Sequence, residues 1–559
     1  MPESNEEAKI IPYCKTPVSV ERVVLYLLCG VCVLCLLLAV LITCLVCRCD
    51  KDHSPSCTFL KAAVAADSGK CSEIGRDILR KGGSAVDAAI AALLCTSIIN
   101  PQSAGIGGGV IFTVMDSSGN KTPSLLFAQE TVPRKVNSDL FKSCRKTTEW
   151  NRGWIGVPGE IRGYEAAHRL YGKLPWADLF QPTIKLAREG FPIPYYQGQH
   201  IPRINNTSIR ELYLDKNGNL LKTGDTVKFE KLADTLETIA NEGPDVFYNG
   251  TIAKNLISDI QDAGGKLTLE DLASYQANVT DAWNISLGEY KLYFPPPPSG
   301  GAILSLILNI MKGYKMNSEP KTTDEKILFY HRYIEALKFA NGLKKYIRDP
   351  NFSSDKMAKN LIEDSFADSK RSLISSDKTH DPQYYGDTSH MDSIGTTHVS
   401  VLAEDGSAVS VTSSINDEQM VATPDTDCFL LLSCNSRSFL YFSGERPPSN
   451  MAPSVLKSPS KTLVIGGSGS EMIPPAVALM NHLWFGKSLK EAIITPVVFV
   501  DCQSEIKLES KLEKDVVDGL EAKGHKIAKF YNTVNAVEKA GSCISAWSDE
   551  RKKGKAAGY

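Results

Sequence analysis

Between Val23 and Cys47 the chain runs for 25 residues, VVLYLLCGVCVLCLLLAVLITCLVC, without one charge or proline. A helix needs roughly 20 apolar residues to cross the hydrocarbon core of a bilayer. The run therefore predicts one membrane-spanning helix. It is too long and too far from the start for an ordinary cleaved leader, and no small-residue cleavage site follows it. Flanking charge orients it only slightly, with Lys9, Lys15 and Arg22 before it and Arg48 and Lys51 after it. The Asn-x-Ser/Thr sites say more. Asn120, Asn205, Asn206, Asn249, Asn278, Asn284 and Asn351 all follow the run and none precedes it. The expectation is a single-pass type II membrane protein: a cytosolic tail over 1–22, a signal-anchor over 23–47, and the bulk of the chain luminal or extracellular.

The rest of the 559 residues is globular in composition, with 43% hydrophobic and 23% charged residues. A net charge of −2 gives no electrostatic basis for binding nucleic acid. Cys29, Cys32, Cys35, Cys44 and Cys47 lie in the apolar run, and Cys47 and Cys49 are candidates for acylation beside the membrane. The remaining cysteines are too few for a disulfide-built fold, so a large core must carry stability. Cys57 and Cys71 are a candidate pair. No Cys/His cluster has zinc spacing, and no metal or cofactor is expected.

Asp50 to Pro55 reads as a polar stalk. Ala62 to Ala66, followed by Asp67, suggests a strand or buried turn. Ile74–Arg80 and Ala85–Leu94 have helical apolar spacing, and Ser84 is placed to cap the second. Val110–Val114 and Leu125–Ala128 read as strands. From Glu160 to about Ile362 the pattern is mainly helical, most clearly over Asp324–Ile347. Asp364 to Ser393, rich in Ser and Asp with little periodicity, reads as an exposed segment. Strand-like segments resume near Thr396, followed by a helical run at Pro474–Phe485 and a strand-like stretch around Ile527–Ala536. Strands, then helices, then strands suggest a layered α/β sandwich.

The chemistry concentrates at Gly395-Thr396-Thr397-His398, which opens a strand-like run. A threonine hydroxyl needs a base, and no acid or histidine lies at a telling spacing. If the Gly395–Thr396 bond is cut, the α-amine of Thr396 supplies one. Its pKa near ~8 suits a general base, and threonine paired with its own amine is an established nucleophile.

Ile394 to Asn416, IGTTHVSVLAEDGSAVSVTSSIN, closely resembles the start of the small subunit of γ-glutamyltransferases, also called glutathione hydrolases. Further blocks follow in family order over nearly all the chain after residue 56. They are Cys71-Ser72-Glu73-Ile74-Gly75-Arg76, Gly82-Gly83-Ser84-Ala85-Val86-Asp87, Gly105-Ile106-Gly107-Gly108-Gly109, Val157-Pro158-Gly159-Glu160, Gly264-Gly265-Lys266-Leu267, Pro298-Ser299-Gly300-Gly301 and the closing Ala556-Ala557-Gly558-Tyr559. The resemblance implies the αββα sandwich of N-terminal nucleophile hydrolases. It also implies self-cleavage into a large-subunit part, 48–395, and an associated small-subunit part, 396–559.

By the same resemblance Thr396 attacks a γ-glutamyl amide, and water or an amino-acid or peptide acceptor then takes the acyl group. Ser414 falls where the family places a hydroxyl near the nucleophile's amine. Asn416 matches a position at the substrate's amino end. Gly469 and Ser470 match the two oxyanion-binding glycines, the second replaced. Ser449 and Asn450 match a Ser-Ser pair on the substrate carboxylate, with only the first unchanged. Where the family carries an Arg for that carboxylate, Ala128-Gln129-Glu130 offers Gln129. Between Asp427 and Glu445 there is no acid to grip the substrate ammonium.

The retained tetrad favours a membrane-anchored γ-glutamyl hydrolase or transferase acting on glutathione or related γ-glutamyl compounds. Gln129 and the missing acids favour a weak or silent relative serving as a membrane glycoprotein or interaction partner. A hydrolase of another amide, using the same nucleophile, is a third reading.

Overall fold

Side chains alternate along a strand, and this chain fills both faces. The computed structural model describes residues 57–118, 121–135, 155–204, 208–262, 264–316, 318–386, 395–416, 442–468, 475–500, 506–509, 511–529 and 533–559. Among them no helix is long and apolar enough to cross a membrane. The Val23–Cys47 run lies outside the described residues.

Thirteen strands build two large sheets in a mixed α/β unit. They are Ala63–Ala65 (β1), Gly109–Met115 (β2), Ser124–Ala128 (β3), Asn278–Asp281 (β4), Trp283–Leu287 (β5), Tyr290–Phe294 (β6), Gly395–Leu402 (β7), Ala408–Asn416 (β8), Ser454–Lys457 (β9), Lys461–Ser468 (β10), Thr533–Ala540 (β11), Cys543–Ser548 (β12) and Ala557–Gly558 (β13). The first sheet has the order β13-β1-β7-β8-β2-β3-β4 and the second β12-β11-β10-β9-β6-β5.

On the outer face of the first sheet Val110, Phe112, Val114, Val399, Val401, Val409 and Val411 pack against the helices Gly69–Arg80 (α1), Ala85–Ile99 (α2) and Glu160–Tyr171 (α3). Outside the second sheet Leu456, Leu463, Ile465 and Ala536 meet Gly301–Lys312 (α4), Thr323–Leu343 (α5) and Pro475–Leu483 (α6). Between the sheets Ala63, Ala65, Met115, Leu402, Val455, Val464, Val537 and Ile544 form a third cluster. Full burial of one such Val, Leu or Ile contributes about 1.5–3 kcal/mol. Hydroxyls join the sheets as well. Thr113 Oγ1 donates to the Pro453 carbonyl at 2.7 Å, Ser400 Oγ to Asn535 O at 3.1 Å and Ser410 Oγ to Ile465 O at 3.0 Å.

Ser84 caps α2 as its sequence predicts, in a reciprocal capping box with Asp87. Three expectations need correction. Asn278–Phe294, inside the stretch read as mainly helical, forms β4 to β6. Buried Tyr290, Leu292 and Phe294 alternate with exposed Lys291 there, a period-two signal too short to stand out among helices. Part of the segment read as exposed is anchored: Asp364–Arg371 is helical, and Tyr385 is buried with its hydroxyl donating to Glu335 Oε2 at 2.6 Å. Finally, Cys71 pairs with Cys95 rather than Cys57. The packed helices α1 and α2 set those two residues face to face, while Cys57 lies beside β12.

Candidate active site

Strand register creates the site. Thr396 of β7 is opposite Ser414 of β8, and Ser414 is opposite Gly109 of β2. The β2–β3 pairing ends at Val110–Ala128, which brings Gln129 beside Gly109. A Cβ on Gly109 would lie 2.8 Å from Gln129 Cα and 2.8 Å from Glu130 N, so only glycine admits this approach. Thr396, Ser414, Gly109 and Gln129 thus form a row across four strands at one end of the first sheet.

Thr396 is partly exposed and Ser414 buried. Their hydroxyls are 3.0 Å apart. Ser414 Oγ also donates to the carbonyl of Gly395 at 2.8 Å. That bond uses the one hydroxyl hydrogen of Ser414, so Thr396 is the donor in the first contact. The chain of bonds runs from the threonine hydroxyl, through Ser414, to the carbonyl of the Gly395–Thr396 peptide. Asn416 pairs with Gly395 across a register shift; its side chain, like Gly469 and Ser470, lies outside the described residues.

Behind Thr396 is a buried polar cluster that sequence reasoning missed. Lys552 Nζ donates to Thr396 O at 2.7 Å, to Ser468 Oγ at 2.9 Å and to Asp67 Oδ2 at 3.0 Å. Asp67 accepts further bonds from Thr397 Oγ1 at 2.8 Å and Asn535 Nδ2 at 2.7 Å. Asn535 Nδ2 also donates to His398 O at 2.8 Å. A buried charge persists only when paired and hydrogen-bonded; here all three ammonium hydrogens are used.

His398 is no base for Thr396. Ser400 Oγ gives its hydrogen to Asn535 O, so it accepts from His398 Nε2 at 2.9 Å, and His398 Nδ1 accepts from Thr412 Oγ1 at 2.8 Å. Burial pushes this imidazole down to about 3, so it is neutral and structural. Gly466 exists to admit it: a Cβ there would lie 2.2 Å from His398 Cε1.

The residues expected to grip a substrate are placed less directly. Gln129 is fully buried, and among the described residues neither amide atom finds a hydrogen-bond partner. Its backbone carbonyl accepts from Tyr275 OH at 2.5 Å. The neighbouring Glu130 carboxyl is pushed up to about 7 by burial, opposed by the guanidinium of Arg446. Glu160 is likewise pushed up to about 8 by burial. Ser449 is tied to the turn before α4, its N–H donating to Pro298 O at 2.8 Å. A Cβ on Gly300 would touch Asn450 O at 2.6 Å. Among the described residues no direct hydrogen bond joins Ser449 or Asn450 to Thr396.

His331, Glu335 and His525 bring possible metal-ligand atoms within 4.8 Å of one another. Those atoms are already engaged. His331 Nε2 donates to Ser375 O at 2.7 Å and its Nδ1 accepts from His525 Nε2 at 2.8 Å, while Glu335 accepts from Thr379 and Tyr385.

The family model "Gamma-glutamyltranspeptidase" matches residues 71–559. The chain is 42% identical over 544 residues to a protein of Rattus norvegicus described as glutathione hydrolase 5 proenzyme, covering 91% of this chain and 95% of the rat protein. The Homo sapiens protein of the same description is 41% identical, covering 91% and 95%. Among solved structures, a cephalosporin acylase from Bacillus halodurans superposes with a TM-score of 0.76 at 22% identity, over 90% of this chain and 96% of that one. The Helicobacter pylori gamma-glutamyltranspeptidase gives a TM-score of 0.51 at 28% identity, over 56% and 92%.

Proposed function

The chain belongs to the gamma-glutamyltranspeptidase family, and on that premise we propose that it is a proenzyme which cuts itself before Thr396 and then hydrolyses or transfers γ-glutamyl groups. It is an enzyme of the glutathione hydrolase type. One observation carries the reading: the hydrogen-bonded chain Thr396–Ser414–Gly395. In the precursor, Thr396 Oγ1 attacks the Gly395 carbonyl carbon while Ser414 polarises the carbonyl oxygen. The peptide becomes an ester, the α-amine is released, and water cleaves the ester. The freed amine then serves as base when Thr396 attacks a γ-glutamyl amide such as glutathione. The amine portion leaves, and water or an amino-acid or peptide acceptor resolves the acyl-enzyme. Gly469 and Ser470 are the proposed oxyanion donors. Asn416, Ser449, Asn450 and Gln129 are the proposed substrate contacts. Turnover of a γ-glutamyl anilide and of glutathione by wild type, set against Thr396→Ala, tests the assignment.

The layering supports the αββα architecture of N-terminal nucleophile hydrolases. It also gives the proposed parts, 48–395 and 396–559, a reason to stay together. In the first sheet β1, β2, β3 and β4 come from the large part, and β7, β8 and β13 from the small one. Parting the subunits means tearing sheet hydrogen bonds.

The Lys552 cluster gives a second expectation. Lys552→Met removes the donor that fixes the Thr396 carbonyl and leaves Asp67 short of its cation. Breaking a buried ion pair costs about 3–5 kcal/mol. Precursor processing should slow, and mature enzyme should lose kcat with little change in KM. If the folded variant is processed and turns over at wild-type rates, Lys552 does not position the nucleophile.

We also propose anchoring by Val23–Cys47, with the catalytic part extracellular or luminal and glycosylated. Asn249, Asn278 and Asn351 are exposed in the fold, which suits glycan attachment. A glycan-removing amidase should speed migration of the large subunit. No shift, with protease protection in intact cells, would overturn this placement.

A further inference from the structure

Cys57 and Cys543 are both thiols in the structure, Cys57 exposed and Cys543 half-buried. They meet because the backbone holds them there. The N–H groups of Thr58 and Phe59 donate to Ile544 O at 3.0 and 2.9 Å, and Ile544 N returns a bond to Phe59 O at 2.9 Å. Phe59 packs on the cluster between the sheets, which includes Ile544. This short bridge extends the edge of β12 and sets the Cys57 side chain against that of Cys543. Burial, and then that contact, pushes the Cys543 thiol up to about 11. The one disulfide among the described residues, Cys71–Cys95, lies wholly before Thr396.

We propose that Cys57 and Cys543 close into a disulfide that covalently joins the large subunit to the small one. The proposal rests on the reading that the Gly395–Thr396 bond is cut, and that this part of the chain faces an oxidising compartment. The oxidant is a low-molecular-weight disulfide. The exposed Cys57 thiolate attacks one of its sulfurs, forming a mixed disulfide and releasing one thiol. Cys543 then loses its proton and attacks the Cys57 sulfur, releasing the second thiol. Two protein thiols are oxidised and one disulfide is reduced to two thiols, so electrons and protons balance. Cys57 leads because it is accessible. Cys543 follows because it is half-buried beside Cys57. The bridge would tie the small subunit to a residue shortly after the proposed anchor, so that neither part is lost if the shared sheets open.

The test uses full-length protein, alkylated before lysis to trap thiols. On a denaturing gel without reductant, large and small subunits should run as one species, and reductant should separate them. Cys57→Ser and Cys543→Ser should each separate them without reductant. Peptide mapping should find the segment holding Cys57 linked to that holding Cys543. Two separate subunits without reductant, with both cysteines alkylated, would overturn the proposal. A single band even with reductant would instead overturn the cleavage reading, and the peptide map would still decide the bridge.

Discussion

Thr396→Ala should leave one full-length polypeptide and abolish turnover. The variant keeps the Gly395 carbonyl and the Ser414 hydroxyl that donates to it, but loses the hydroxyl proposed to attack the peptide carbon. The same deletion removes the nucleophile and leaves the α-amine locked in the peptide bond. Losing a nucleophile of this kind lowers kcat by about 10⁶-fold, so amine release from a γ-glutamyl anilide should fall to background. The fold should survive. Thr396 is the partly exposed residue of its strand, and among the described residues its hydroxyl bonds to that of Ser414, a contact worth about 1 kcal/mol. Thr396→Ser, which keeps an attacking oxygen, should still be processed. Two bands in Thr396→Ala would mean that another protease makes the cut. Unchanged turnover would remove Thr396 from the mechanism altogether.

The tetrad around Thr396 was conspicuous in the sequence because its signal is local. Four consecutive residues, a strand-like alternation and a serine eighteen positions on place two hydroxyls side by side once the hairpin closes. The helices α1 and α2 were legible for the same reason, through apolar spacing and the Ser84 cap. The Lys552–Asp67 pair was not, since its members are 485 positions apart. Asp67 follows a run read as a strand or buried turn, but nothing there names its partner, and a lysine beside other basic residues reads as solvated surface. The Cys71–Cys95 pairing was hidden in the same way: it follows from how α1 packs on α2, not from spacing. Gln129 shows the opposite case. Its identity was conspicuous in the sequence, but that its amide is buried and unpartnered among the described residues emerges only from the fold.

That orphaned amide makes Gln129→Arg the sharper of the two substitutions to judge substrate recognition. A buried polar group with no partner costs about 1–3 kcal/mol, and a ligand carboxylate would recover that cost by accepting from Nε2. A guanidinium would do better, since it meets a carboxylate through two charge-assisted bonds. Such bonds are worth about 1.5–3 kcal/mol, and 1.4 kcal/mol is about tenfold in affinity. Gln129→Arg should therefore lower KM for glutathione by about 10- to 100-fold, with a smaller change in kcat if the contact serves ground state and transition state alike. The new charge would not be stranded. Glu130, held near neutrality at about 7 by burial, would be drawn down by an adjacent cation and ionise at neutral pH. Recovery should stay partial, because no acid between Asp427 and Glu445 is present to hold the substrate ammonium. A competing cation is already in place. Arg446 lies beside Glu130 and Tyr275, the residue that holds the Gln129 carbonyl, and it donates to Gln276 O at 2.8 Å. If wild type already binds glutathione within the ~1 μM–1 mM span usual for enzymes, if Gln129→Arg does not lower KM, and if Arg446→Ala raises it, then the carboxylate is held from Arg446. The loss at position 129 would then have been compensated by a cation beside Glu130.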